Sequence, residues 1–323
     1  MRFLVTGGCG FIGSHLVDCL LKDGHEVTVL DDLSTGKRRN LAPGARLIQG
    51  DVGDLATVTQ AMTGVDGCFH LAAIASVQRS SEDWAVTHRT NQTGSINVFE
   101  AAKNCGAKNP LPVAFTSSAA VYGNGGGTPI TEDFPTLPIS PYGADKLGSE
   151  LHGRVAAAAF ASRIIALRLF NVFGPRQDQK SPYSGVTSIF IDRAFRGQDL
   201  TILGDGEQTR DFVFVADVVR ALKLSMARLT ALDDGYFGAF NVCQGESITI
   251  NHLAQAVKNA CRSSAAITHS PPRPNDIRTS LGNPALAFRE IGFQAQTTPA
   301  DGLFLTADWC RAQLPTQYPH EGS

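Results

Sequence analysis

The chain of 323 residues carries 43% apolar and 18% charged side chains and a formal net charge of −2. That balance describes an ordinary globular protein, which argues against disorder and makes nucleic acid and anionic membrane poor partners. Its seven cysteines are scattered, with no pair at metal-ligand or redox spacing, so no metal is expected and reduced thiols suit a cytoplasmic protein.

Met1 to Thr6 is a short apolar strand, and its start at Phe3 leaves no room ahead of it for a signal peptide. No run approaches the ~18–20 apolar residues of a membrane span. Gly7-Gly8-Cys9-Gly10-Phe11-Ile12-Gly13 follows, then a helix with apolar positions at helical spacing that ends at Gly24, then the β-branched strand Glu26 to Leu30. Strand, glycine turn, helix, strand is a parallel pair with a right-handed crossover. Gly7 permits a sharp turn, Gly10 close approach to a pyrophosphate, and Gly13 tight packing of helix on strand. The helix amino terminus adds free N–H groups for phosphate. Asp31, directly after the second strand, suits the adenosine ribose diol and repels a 2′-phosphate, which favours NAD. Lys37, Arg38 and Arg39 read as a solvated loop, and Asp32 as a loop residue near the adenine.

Alternation continues with a strand at Ala45–Gln49, with Asp51 within reach of the adenine edge. A helix at Leu55–Met62 and a strand at Asp66–Leu71 follow, the strand ending in small residues that suit a cofactor. His70 reads as a packed strand-end histidine. A helix at Asn91–Lys103 and a strand at Leu111–Thr116 deliver Ser117 and Ser118. A helix bearing Tyr142 and a strand at Ile164–Leu169 complete six or seven strands of a doubly wound α/β sheet. Further on, Pro175–Ser184 reads as a substrate-covering loop, Val186–Phe195 as a helix and Leu200–Leu203 as a strand. Phe212–Val215 and the helix after it are expected to return to the main sheet. Ala239–Val242 reads as a strand, with helices at Ile250–Cys261 and Leu286–Ile291. The expected division is 1–174 for the nucleotide domain, with 212–240 returning to it, 175–211 and 241–315 for a smaller mixed α/β lobe, and 316–323 for a loose tail.

Tyr142 and Lys146, four residues apart on a helix, share a face. A phenol has a pKa of about 10 and is a poor base at neutral pH. A neighbouring ammonium lowers it, and a base near the working pH is what proton abstraction from an alcohol needs. With Ser118 at a strand end and a nicotinamide at hand, the set points to reversible oxidation of an alcohol.

These motifs, with Ser117-Ser118-Ala119-Ala120-Val121-Tyr122-Gly123, Arg168-Leu169-Phe170-Asn171-Val172-Phe173-Gly174-Pro175-Arg176, Gly204-Asp205-Gly206 and Thr209-Arg210-Asp211-Phe212, resemble the extended short-chain dehydrogenases/reductases. More narrowly the chain resembles the UDP-hexose 4-epimerases, over residues 2 to about 310. The resemblance implies a Rossmann-type sheet with a substrate lobe and bound NAD. It implies Tyr142 as general base and acid, Lys146 on the nicotinamide ribose depressing the tyrosine pKa, and Ser118 on the sugar O4. It assigns cofactor contacts to Gly7, Gly10, Phe11, Ile12, Gly13, Asp31, Asp32, Ser34, Thr35, Gly36, Asp51, Val52, Leu71, Ala72, Ala73, Asn91, Ser117 and Phe170. Asn171, Arg210, Arg273 and Asp276 would take the nucleotide diphosphate and uridine ribose. Ser280 would gate the space beside C2 and leave room for an N-acetyl group. Two positions depart from the family's pattern, Ala75 in place of a lysine and Asn275 in place of a glycine.

Ala119 and Ala120 cannot transfer protons, so the 4,6-dehydratase and decarboxylase chemistries of similar folds are not expected. The implied reaction inverts C4 of UDP-GlcNAc/UDP-GalNAc and of UDP-Glc/UDP-Gal through transient oxidation, a 4-keto sugar and hydride return. A uronic acid 4-epimerase or a 4-keto-sugar reductase is the alternative, and a dinucleotide-sensing scaffold a third reading. Relatives suggest a homodimer through the Asn91 and Tyr142 helices.

Overall fold

The computed structural model describes residues 1–106, 109–178, 185–272 and 277–317. Arg273, Asn275 and Asp276 therefore lie outside the described residues, as does most of the expected 175–184 covering loop. The first half alternates β1 (Arg2–Thr6), α1 (Phe11–Lys22), β2 (Glu26–Asp31), β3 (Arg46–Gln49), α2 (Leu55–Met62), β4 (Gly67–His70), the short helices α3 (Val77–Glu82) and α4 (Trp84–His88), α5 (Gly94–Cys105), β5 (Val113–Ser118), α6 (Pro141–Phe160) and β6 (Arg163–Leu169). The second half runs β7 (Asn171–Phe173), α7 (Val186–Phe195), β8 (Leu200–Leu203), β9 (Thr209–Phe214), α8 (Val215–Thr230), β10 (Tyr236–Val242), β11 (Ser247–Thr249), α9 (Ile250–Cys261), β12 (Ile267–Ser270), β13 (Thr279–Ser280), α10 (Ala285–Ile291) and α11 (Pro299–Gln317).

Seven parallel strands form the main sheet in the order β10-β6-β5-β4-β1-β2-β3. Both faces are covered, which is why its central strands read as continuous apolar runs. One core joins α1 and α8 to the sheet through Leu16, Val17, Val218 and Leu222, all fully buried. The opposite core holds Val58, Met62, Val98 and Phe99 from α2 and α5. The order of strand addition reverses at β1 and β4, which lie side by side and parallel, and the crevice beyond their carboxyl ends is the expected ligand position in such a sheet.

The smaller lobe has its own core of Phe173, Phe190, Leu253, Val257 and Leu303. In it β11, β9 and β13 form one path with β7 added to β9, while β12 pairs with β8. Here one expectation is corrected. Strand β9 does not return to the main sheet; it pairs with β7, β11 and β13, and only α8 and β10 return. The run Phe212 to Val215 is apolar in either place, so hydropathy alone could not choose between two buried sheets. Two smaller corrections concern helices. Arg89–Thr93 is a π-helical turn that feeds α5 from Gly94, and α11 reaches Gln317, into the expected tail. Pro315 falls in its last turns, where a missing N–H ends little that would otherwise continue.

Helix α6 begins cleanly. Ser140 caps it, its Oγ accepting from Gly143 N at 3.1 Å, and Pro141 supplies the fixed φ of a first turn. Behind it lies a buried ion pair: Arg168 of β6 meets Glu150 of α6, with Nη2 to Oε2 at 2.7 Å and Nε to Oε1 at 3.0 Å. Both residues are at most 5% exposed. Ser117 Oγ donates to Glu150 Oε1 at 2.5 Å, and Arg168 Nη1 donates to Tyr122 Oη at 2.9 Å and to Glu132 O at 3.0 Å. Losing one partner of such a pair leaves an uncompensated buried charge. Arg168→Met is therefore expected to cost about 3–5 kcal/mol of unfolding free energy, and the double change Arg168→Met/Glu150→Leu to recover most of it, read from urea titrations.

Candidate active site

One cleft of ≈ 2000 Å³ opens along the carboxyl ends of the main sheet and continues beneath the lobe. Its walls contain Gly7, Gly10, Phe11, Ile12, Gly13, Asp31, Asp32, Ser34, Thr35, Gly36, Asp51, Val52, Leu71, Ala72 and Ala73 from the first half. Ser117, Ser118, Tyr142, Lys146, Phe170, Asn171, Arg210 and Ser280 also line it.

The glycine turn is built to leave a cradle. Gly7 has φ +71°, and a side chain there would press on Ala72 N at 2.7 Å. A Cβ on Gly13 would stand 2.2 Å from Gly7 O, so helix and turn meet backbone to backbone. The carboxylate of Asp31, 6% exposed, closes this end, accepting from Cys9 N at 2.9 Å and from Leu33 N at 2.8 Å. Burial raises its pKa and those two amides draw it back. Asp32 instead accepts from Ser34 N and Oγ, at 2.9 and 2.7 Å, and shapes the loop. Asp51 accepts from Gly53 N at 2.7 Å and pairs with Arg89. An anion-ready helix terminus, a side-chain-free turn and an acidic ribose-sized end together fit a dinucleotide such as NAD.

At the strand ends Ser118 and Tyr142 line the same stretch of the cleft, and Ser118 Oγ accepts from Ala120 N at 3.1 Å. Lys146 is 3% exposed; its Nζ donates to Thr116 O at 2.8 Å and lies 5.9 Å from the centroid of the Tyr142 ring. Burial pushes the lysine down to about 8, against the fields of Asp145 and Glu150. Burial raises the Tyr142 phenol, and the neighbouring Ser118 hydroxyl offsets this only in part. This differs from the expectation that the ammonium depresses the phenol. Burial here costs the phenolate more than its neighbours return.

One further expectation changes. Asn91 is fully buried and does not line the cleft. Its amide accepts from Ile74 N at 2.8 Å and donates to Ile74 O at 3.2 Å, pinning the loop after β4. Ser117 lines the cleft, with its hydroxyl committed to Glu150. His70 is the packed histidine expected, with Nδ1 2.7 Å from Thr6 Oγ1 and Nε2 3.1 Å from Ser95 Oγ. Burial holds its pKa down near 3.

The lobe side was harder to foresee. Register sets Ser280 of β13 directly beside Arg210 of β9. Asn171 Nδ2 donates to Asp211 O at 2.9 Å. Lys37, read as solvated loop, lines the cleft and pairs with Asp178 at 3.0 Å, while Arg38 and Arg39 are exposed. Helix α3 also walls the cleft, from Val77 to Glu82, and went unread. Its one signal was Ser76, whose Oγ caps Arg79 N at 3.1 Å.

Comparison with known proteins follows the same lines. Residues 3–243 match the model of the NAD dependent epimerase/dehydratase family. The chain is 36% identical over 318 residues to the UDP-glucose 4-epimerase of Mycolicibacterium smegmatis, covering 96% of this chain and 99% of that protein. It superimposes with a TM-score of 0.90 on the UDP-glucose 4-epimerase of Thermotoga maritima solved with UDP-glucose, at 36% identity and covering 97% of this chain and 100% of that one. The UDP-N-acetylglucosamine 4-epimerase of Methanobrevibacter ruminantium, solved with UDP-N-acetylmuramic acid, gives 0.89 at 37% identity, covering 97% and 98%. The chain belongs to the NAD dependent epimerase/dehydratase family.

Proposed function

We propose that the protein is a UDP-sugar 4-epimerase that keeps NAD through turnover and acts on UDP-GlcNAc/UDP-GalNAc as well as UDP-Glc/UDP-Gal. The observation that carries this reading is the gathering of Ser118, Tyr142 and buried Lys146 in the same cleft as the glycine cradle. NAD, when bound, supplies the acceptor for the C4 hydride and returns it.

Tyr142 takes the proton from the sugar O4 and later gives it back, so one phenol serves as base and acid. Ser118 orients O4 and stabilises the phenolate. Lys146, anchored on Thr116 O, presents its remaining N–H donors to the cofactor ribose. Asp31 accepts from the adenosine ribose, and the N–H groups opening α1 meet the pyrophosphate. Arg210 clamps the substrate diphosphate, with Arg273 and Asp276 proposed to assist it. Asn171, bonded to β9 through one amide atom, offers its carbonyl oxygen. Alanines at 119 and 120 leave no acid or base to eliminate water, so the carbonyl at C4 is reduced again. Inversion needs the sugar to turn while its nucleotide stays held. Ser280, small and beside Arg210, leaves room for an acetamido group at C2. Exposed Leu151 and Val155 on α6 support a homodimer through α5 and α6, and seven free cysteines suit the cytoplasm.

The direct test incubates the purified protein, without added cofactor, with UDP-GlcNAc and UDP-Glc separately and resolves the C4 epimers. Both pairs are expected to interconvert. Ser280→Tyr should depress the acetamido pair by at least about 100-fold and spare the other, since a steric block acts on one substrate only. Tyr142→Phe should lower kcat by about 10²–10⁴ with bound NAD unchanged, as loss of a general base does; parental turnover by this variant would end the proposed mechanism.

The depressed pKa of Lys146 has a stability consequence. Below about pH 8 the folded protein must bury a charge that the unfolded chain keeps in water, and this cost disappears above the ordinary lysine value of 10.5. Lys146→Met is expected to be inactive yet more stable at pH 7, by up to about 3 kcal/mol at ~1.4 kcal/mol per pKa unit. The difference in Tm from the parent should shrink as pH rises from 8 to 10.5. An equal difference at every pH would contradict it.

A further inference from the structure

Neighbours on β9 have opposite environments. Arg210 lines the cleft, whereas Asp211 is fully buried, as alternation along a strand allows. The Asp211 carboxylate accepts from Gln244 N at 2.7 Å, Gly245 N at 3.0 Å and Gly282 N at 3.3 Å. The first two amides belong to the turn between β10 and β11, and the third to the chain just past β13. The main-chain oxygen of Asp211 takes the Asn171 amide from β7. One residue thus ties three separate segments to β9.

Strand β13 depends on such ties. It is only two residues long, Thr279–Ser280, paired with Thr209 and Arg210. Beyond it the chain is held by Asp211 at Gly282, and by Ile130, which donates to Leu281 O and accepts from Asn283 N, both at 2.9 Å. The fit at Gly282 is close: a Cβ there would stand 2.6 Å from Cys243 Sγ and 2.7 Å from the Phe170 ring. Phe170 follows β6 and lines the cleft from the cofactor side. The distance between Ser280 and the wall opposite is therefore set by what draws Gly282 inward.

We propose that Asp211 is a positioning residue for recognition of the nucleoside diphosphate sugar: its carboxylate draws the chain after β13 against Phe170 and so fixes where Ser280 and Arg210 stand in the cleft. It touches neither substrate nor cofactor. The inference rests on the reading of Ser280 and Arg210 given under Proposed function.

Asp211→Asn keeps size and shape but replaces one acceptor oxygen by an NH₂ that faces backbone N–H groups. The expected result is a KM for both UDP-sugars raised by about tenfold or more, kcat within about threefold of the parent, and NAD content unchanged. Discrimination between the acetamido and plain sugars, as a ratio of kcat/KM, should also narrow by at least about threefold. Gly282→Ala, which pushes the same segment outward without touching the carboxylate, should reproduce the pattern and serves if Asp211→Asn does not fold. A fall in kcat without a rise in KM, or a KM rise with an unaltered sugar ratio, overturns the proposal. A parent protein that epimerises no UDP-sugar overturns the functional reading instead.

Discussion

The position of α6 on the main sheet depends on a guanidinium buried where neither water nor a surface acid can reach it. Arg168 and Ser117 face each other in the β6–β5 register, and both bond Glu150. Glu150 lies eight residues beyond Tyr142 and four beyond Lys146, about two turns and one turn along the same helical stripe. Fixing Glu150 therefore fixes the rotation of α6, and with it the direction in which the phenol and the lysine point. Apolar residues of equal volume would fill the same space with less desolvation cost. They would not define rotation as closely as the placing of Tyr142 and Lys146 beside Ser118 requires. Tyr122 and Glu132 O take further guanidinium donors, and Tyr122 passes the network to Asn241 at 2.7 Å. The pair stands in a fully connected polar network, which is the form in which such groups are tolerated.

The catalytic candidates show the opposite economy. Lys146 is buried with one backbone partner, and burial lowers its pKa to about 8. Tyr142 is likewise held above its ordinary value by burial. A sequence selected for stability alone has no use for either group here. Departures of this kind from stability rules mark functional sites, and they sit on α6, the helix held by that buried pair.

The fold was legible where periodicity and glycine chemistry coincide. The β1-turn-α1-β2 unit could be read residue by residue, because the glycine at position 13 answers a backbone contact that no other residue fits. The parallel sheet followed from apolar runs alternating with helices. Legibility failed where a short strand gains its identity only from its partners. Nothing within Thr279–Ser280 distinguishes strand from loop; pairing with β9 does. The apolar stretch of β9 suited either sheet. Within the site, residue type foretold which part of the chain meets the cleft better than which atom does. Ser117 and Asn91 were both read as ligands. Their side chains in fact hold neighbouring structure, one on Glu150 and one on the backbone of Ile74. A polar residue at a strand end or helix start carries the same letter in either role, and only the position of its partner separates them.

The two walls of the cleft are held by different means. On the sheet side, glycine turns and buried strands fix the backbone by close packing, which yields only at the cost of overlapping atoms. On the lobe side, a two-residue strand hangs from hydrogen bonds to Asp211 and Ile130, beside a short β7. Hydrogen-bonded irregular backbone opens at lower free energy than a packed strand core. The proposed reaction, in which the dinucleotide is retained while the sugar turns, would draw on this difference.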